Sequence, residues 1–414
     1  MDTLDVAFCR SQFPALATDW ALLDSAGGSV TPRQVSARVR EHLERRMVQL
    51  GATYPLSEES TQQVMHGRVA AATLAGCSPE EMVLGASTTQ NLGLLSRAIR
   101  FEPGDEVVVT NLDHESNIGC WRRLEARGVV VREWKAAGTA TEPEAVKLRF
   151  AELAPLLNGR TRWVCFSQCS NLVGAVHDVA ELTAQIHAAG AKVCVDGVAY
   201  APHRQVDVKA WGVDAYAFSL YKTYGPHLGA LYIDRELQEE LEPQNHFFIG
   251  DEDPAYRFMP GGVSHELAAG LPGILEYLEC VYRHHFPEAP LEPTAARLAH
   301  VFALFQAHEA KLSEVLLEAL RDLPGVRILG PRHGELTVRA PTIGFWREGR
   351  QSSGVPPLLD ARRIAIRWGH FYAQRLVSAL GLTEIGGVIR ASFVHYNTLS
   401  EAERLAEALR ELLV

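Results

Sequence analysis

The sequence predicts an α/β fold, a mostly parallel sheet covered by helices and followed by a smaller α+β unit. Three observations carry this expectation. Between about residues 80 and 235, short β-rich runs alternate with helical segments, the pattern of strands joined by crossover helices. Residues 286–300 (FPEAPLEPTAARLAH) are proline-rich and lead into a long helical stretch, as a junction would. The chain has 414 residues, 47% hydrophobic and 22% charged, which is enough for two or three packed units.

The strand candidates are Glu106–Thr110 (EVVVT), Trp163–Phe166 (WVCF), Val193–Asp196 (VCVD), Val213–Ser219 (VDAYAFS) and Leu228–Ile233 (LGALYI). Between the second and third, Asp178 and Glu181 form a helix start, Leu182 and Ile186 share one face, and Gly190 ends the helix. Beyond the junction Leu312, Leu316, Leu320 and Leu323 recur at helical spacing. Strands are then expected near Val326–Leu329 and Val388–Phe393. A last helix starts at Thr398, with Glu401 completing a capping box, and is expected to bury Leu405, Leu409 and Leu412. The implied division is a segment 1–20 packing with the small domain, a large domain 21–288 and a small domain 289–414.

A formal net charge of -10 argues against nucleic acid as the main partner, since no basic surplus faces phosphates. The seven cysteines are widely spaced, with no C-x-x-C pair, as free thiols in a reducing compartment would be. The acidic start, Met1-Asp2-Thr3-Leu4-Asp5, does not resemble a signal peptide, and no apolar run is long enough to span a bilayer. A soluble cytoplasmic protein is the expectation.

Only six lysines are present, and Lys222 stands apart from the others. It follows the strand VDAYAFS and precedes Thr223-Tyr224-Gly225-Pro226-His227, where open α/β sheets bind ligands. Desolvation there lowers a lysine pKa and makes a usable nucleophile; the plainer reading is a solvated turn lysine. Asp196, 26 residues upstream at the end of VCVD, is an acid whose burial requires a cation, or else caps the turn at Gly197. Gly85-Ala86-Ser87-Thr88-Thr89-Gln90-Asn91 joins a strand-like run to a helix over 92–99. Its hydroxyls and free N–H groups suit an anion, or Ser87 or Thr88 simply caps the helix.

With these residues in view, VDGVAYAPHRQVDVKAWGVDAYAFSLYKTYGPHLGALYI resembles the cofactor core of class V pyridoxal-phosphate enzymes, in their cysteine desulfurase-like branch. The resemblance runs from Leu23-Asp24-Ser25-Ala26-Gly27-Gly28 to Tyr396-Asn397-Thr398. It implies fold type I, with a seven-stranded sheet in the large domain, a homodimer and an amino-acid substrate. It also implies that Lys222 forms the Schiff base and shuttles the α-proton, that Asp196 holds the pyridinium nitrogen and that His114 stacks on the ring. Asn171 would sit near the phenolic oxygen or the substrate, while Thr88, Thr89 and Ser219 bind the phosphate. Arg390 would clamp the substrate carboxylate, with Arg367 assisting. The segment Phe258-Met259-Pro260-Gly261-Gly262-Val263-Ser264 would reach a second subunit's site, or form an ordinary turn.

Duller readings stand beside these. His114 between Asp113 and Glu115 can be a metal ligand, although no second histidine has ligand spacing. Asn171 can be a turn former and Arg390 an ion-pair partner.

The sequence departs from the desulfurase pattern R-x-G-H-x-C-A, for it reads Arg367-Trp368-Gly369-His370-Phe371-Tyr372-Ala373. Tyr372 stands at the cysteine position and cannot take sulfur as a persulfide, so transfer to a sulfur-acceptor protein is not expected. Ala199 replaces a frequent glutamine, and Tyr221 a frequent histidine. The remaining chemistry lies at Cα and Cβ. C–S β-lysis is favoured, with Tyr372 as a candidate general acid or a packing residue. Transamination, epimerisation and decarboxylative aldol chemistry are the alternatives, and a catalytically silent cofactor binder is the rival of another class. A dinucleotide oxidoreductase would need G-x-G-x-x-G after an early strand, which is absent. A metal hydrolase built on the 16 scattered histidines has the weakest claim.

Overall fold

The computed structural model describes residues 3–413 apart from 251, 291 and 336. Met1 and Asp2 of the acidic start and Leu291 of the proline-rich junction therefore lie outside the described residues. The large sheet has seven strands: β1 Met82–Gly85, β2 Glu106–Thr110, β3 Val130–Trp134, β4 Thr161–Ser167, β5 Lys192–Asp196, β6 Ala215–Ser219 and β7 Gly229–Ile233. Their order is β1-β7-β6-β5-β4-β2-β3. The pairings from β3 through β6 are parallel, while β7 runs antiparallel to β6 and β1.

Every residue of β2, β6 and β7 is buried, which is why these strands read as continuous apolar or small-residue runs. β3 (VVREW) differs. It is an edge strand with only Trp134 buried, and its charged residues hid it from the sequence pattern. β6 starts two residues later than expected. Gly212 ends the preceding helix in a left-handed conformation, and the Asp214 carboxylate accepts from Val193 N at 2.7 Å.

The helix Val179–Ala188 is capped as expected, Asp178 accepting from Glu181 N at 3.0 Å, and Gly190 follows at φ 85°. The long helix Thr294–Arg321 begins inside the proline-rich stretch and bridges two cores. Leu298, Val301, Phe302 and Phe305 join the large core; Leu312, Leu316 and Leu320 join a second one with Ile343, Phe345, Ile389, Leu405 and Leu409. Leu323 also packs in the second core, but it lies beyond the helix end.

The smaller C-terminal domain is built on an antiparallel sheet of β8 Val326–Ile328, β9 Thr342–Arg347, β10 Arg367–Gly369 and β11 Val388–Ser392, in the order β10-β11-β9-β8. Thr398 and Glu401 form the capping box of the helix Leu399–Leu412. That helix buries Leu405 and Leu409, whereas Leu412 is only half-buried and Leu413, just past the helix, takes the fully buried place.

The N-terminal segment contacts both units. Phe13 packs against Tyr224, Tyr277 and Tyr396, and Arg10 donates to the Tyr396 carbonyl at 2.8 Å. Ala21–Leu22 pairs in parallel with Ile364–Ala365, and Leu23 enters the small-domain core. Among the described residues, no helix is long and apolar enough to cross a membrane.

Candidate active site

The carboxyl ends of β2, β4, β5 and β6 open into one cavity of about 530 Å³, beside the point where β2 and β4 diverge in chain direction. Lys222, Asp196, His114, Asn171, Tyr221, Thr88, Thr89 and Ser219 all line it, so eight of the twelve expected site residues come together. Lys222 hangs from the turn after β6 and is buried, with no hydrogen bond or ion pair to its ammonium among the described residues. Burial, with Arg390 nearby, pushes its pKa down to about 8. Asp196 ends β5 and is buried, and among the described residues its carboxylate accepts only from Val198 N at 2.9 Å. Burial raises its pKa to about 7. An unpaired buried carboxylate opposite a neutralisable lysine is the donor set of a flat, cationic-nitrogen, aldehyde-bearing cofactor.

His114 follows β2. Burial lowers its pKa to about 4, with Lys222 adding to the effect, so the ring is neutral at physiological pH. Its Nδ1 accepts the Ser116 backbone N–H at 3.1 Å and contacts Ser116 Oγ at 2.8 Å. The ring proton therefore resides on Nε2, making His114 a donor towards the cavity. Asp113 turns away into the core and accepts from Thr110 Oγ1 at 2.6 Å, Asn117 Nδ2 at 2.8 Å and Ser167 Oγ at 2.9 Å. Glu115 pairs with Arg375. The three neighbours thus point to three different partners.

Ser87 is the cap of the helix Thr88–Ala98, accepting from Gln90 N at 3.2 Å, which leaves Thr88 and Thr89 in the first turn. Thr88 Oγ1 and Ser219 Oγ lie 2.8 Å apart at the cavity wall. Hydroxyls around a helix N-terminus suit a phosphate. Gly229 of β7 makes this turn possible: a Cβ there would stand 2.4 Å from the Ser87 carbonyl carbon and 2.5 Å from Thr88 N.

Four expected residues lie off the cavity wall. Arg390 is buried next to it, donating to Asp24 Oδ1 at 2.8 Å and to the Asn171 carbonyl at 3.2 Å. Arg367 pairs with the other oxygen of Asp24. Tyr372 is 67% exposed and its ring centroid is 4.9 Å from that of His114. Gly262, at φ 81°, lines a separate hollow of about 550 Å³ with Phe258, Met259 and Ser264.

Sequence reasoning missed Ser116, Ser167, Cys169 and Val198 on the wall, and Asp24 behind it. Ser167 ends β4 and Cys169 stands two residues beyond it, and the strand-end rule could have found them. Cys169 is a buried thiol that donates to the Ser170 and Gly174 carbonyls, and burial pushes its pKa up to about 12. It remains protonated and is a poor nucleophile. Ala199 lines the cavity with no side-chain donor.

Comparison with known proteins agrees with this geometry. The family described as aminotransferase class-V matches residues 21–248 and 296–405. An aminotransferase-like protein of Gibberella zeae is 38% identical over 98% of this chain and 97% of its own length. A cysteine desulfurase-like protein of Aspergillus flavus is 30% identical over 100% of this chain and 91% of its own. Among solved structures, the apo cysteine desulfurase of Thermococcus onnurineus superposes with a TM-score of 0.86 at 26% identity, covering 100% of this chain and 99% of that one. The chain belongs to the class V aminotransferase family and is a pyridoxal-phosphate-dependent enzyme.

Proposed function

We propose that this enzyme cleaves a bond at Cβ of an amino-acid substrate, with C–S β-lysis the favoured reaction, and that it does not form a persulfide. The observation that carries the reading is the thiol inventory of the site. Tyr372 stands at the turn where the desulfurase pattern has cysteine, and the cavity's own thiol, Cys169, is buried and protonated. Neither side chain can accept sulfur, so the leaving group departs to solvent.

Pyridoxal phosphate supplies the electron sink for carbanionic chemistry at Cα. In this reading Lys222 would carry the cofactor and move the α-proton, because burial lowers its pKa to about 8, where half of the amine is neutral. Asp196 would pair with the pyridinium nitrogen, and Thr88, Thr89 and Ser219 would hold the phosphate. Asn171 would sit near the phenolic oxygen or the substrate, Tyr221 would contact the cofactor, and Arg390, assisted by Arg367, would take the substrate carboxylate. His114 would stack on the ring face, and its neutral Nε2–H could donate a hydrogen bond to the leaving group at Cβ without giving up the proton. Tyr372, exposed beside it, would offer a phenolic proton to the leaving group at the mouth. The assembly is read as a homodimer in which the Phe258–Ser264 segment with Gly262 meets the other subunit, and light scattering of the purified protein checks the dimer.

The visible absorption band of the loaded protein, followed through titration with a panel of amino acids, tests the function. Cysteine or an S-substituted cysteine is expected to move the band and to yield pyruvate, ammonia and a free thiol or sulfide. A protein-bound persulfide would overturn the reading. A keto acid formed from the intact side chain would favour transamination, and a band that no amino acid moves would favour the silent binder.

A further inference from the structure

The turn that carries Tyr372 presents a second aromatic residue, Phe371. Phe371 and Tyr372 both adopt left-handed backbone conformations, at φ 48° and 62°. Two such non-glycine residues in succession persist only where the surroundings hold them. Here Asn171 Nδ2 donates to the Phe371 carbonyl at 2.8 Å, and Glu115 N donates to the Tyr372 carbonyl at 2.8 Å. Arg375 fastens the following helix to the Glu115 carboxylate through two bonds of 3.1 and 3.2 Å.

The constrained turn sets the Phe371 ring over the Arg390 guanidinium, with Cζ 3.8 Å from the ring centroid. Stacking occupies the guanidinium face and leaves its N–H edges available. Two N–H groups are engaged, by Asp24 and by the Asn171 carbonyl, while the buried Nε has no partner among the described residues. Arg367 and Arg390 share the single carboxylate of Asp24, so one positive charge is left over.

We propose that Phe371 is a positioning residue for substrate selection: its ring fixes the plane of Arg390 so that the unengaged N–H groups recognise a free α-carboxylate. The preference for a free over an amidated α-carboxyl should then depend on the aromatic face of Phe371. This rests on the reading that Arg390 binds the substrate carboxylate.

The test compares Phe371→Leu, which keeps bulk without an aromatic face, with Phe371→Tyr, which keeps the face. Each loaded protein is titrated with L-alanine and with L-alaninamide, and the visible band reports binding. The wild type is expected to prefer L-alanine. Phe371→Leu should weaken L-alanine about tenfold while leaving L-alaninamide unchanged, and Phe371→Tyr should restore the preference. In cofactor-free protein carrying ¹⁵N-arginine, the Arg390 Nε–H resonance should lie upfield in the wild type and Phe371→Tyr, and move downfield in Phe371→Leu. Equal weakening of both ligands, or a Leu variant that matches the wild type, overturns the role of Phe371. A wild type that binds both ligands equally overturns instead the carboxylate reading of Arg390, and with it this inference.

Discussion

Lys222 and Asp196 share one buried cavity, and burial drives each towards its neutral form, the amine down to about 8 and the carboxyl up to about 7. Both were legible in the sequence because each ends or follows a β-rich run, and strand ends are where open sheets carry chemistry. Asp24 was not. It meets Arg390 across 366 residues, and no local pattern marks an acid that serves two distant arginines. The shift of Lys222 predicts how the cofactor-free protein takes up pyridoxal phosphate. Only the neutral amine attacks the aldehyde, so the rate of band formation should rise with pH about a midpoint near 8, not near the ordinary 10.5. Asp196 holds the Lys222 pKa up, so Asp196→Asn should move that midpoint lower. The same shift has a sign for stability. Between pH 8 and 10.5 the folded state binds fewer protons at Lys222 than the unfolded chain, so stability without cofactor rises with pH across that window. A loading profile centred near 10.5 would contradict both expectations.

Elements signalled by their own residues were read well, and those defined by neighbours were not. The caps at Asp178 and Thr398 are local hydrogen-bonding patterns, and both stand where the sequence put them. The strands β3, β9 and β10 escaped notice. β3 is a partly exposed edge, β10 has only three residues, and β9 reads as a strand only beside β8 and β11. The phosphate turn depends on a neighbour in the same way, since it lies on β7 where Gly229 leaves room. Gly229→Ala must displace Ser87 and Thr88 backbone, which should cost about 1–3 kcal/mol. It should also loosen the cofactor more than it lowers the melting temperature of the cofactor-free protein. Equilibrium dialysis against pyridoxal phosphate, read beside thermal unfolding, separates the two effects; unchanged retention of the cofactor would remove the turn from the phosphate site.

At the scale of the whole molecule, residues 21–30 join the large and small units at the site. Ser29 Oγ accepts from Tyr224 N at 3.0 Å in the lysine turn, Ala26 N donates to Ser392 Oγ at 2.8 Å, and Asp24 pairs with Arg390 and Arg367. A Cβ at Gly27 would press on the ends of the Arg367 and Asp24 side chains, which would have to shift to admit it. The sequence showed the LDSAGG stretch as a family feature but not its mechanical role, which exists only once the two domains meet. Arg390 is 2% exposed, and Asp24 provides its only carboxylate partner among the described residues. Removing that carboxylate strands a buried cation, a change that costs about 3 kcal/mol or more. Asp24→Ala should therefore lower the urea midpoint of unfolding substantially, and Asp24→Asn, which keeps an acceptor for the guanidinium, should lower it less. The two variants should also separate in cofactor retention, because Ser29 and the lysine turn depend on the same segment. If Asp24→Ala unfolds at the wild-type urea concentration, the pair contributes no stability and the junction must be held by the apolar contacts of Leu23 and Phe13 instead.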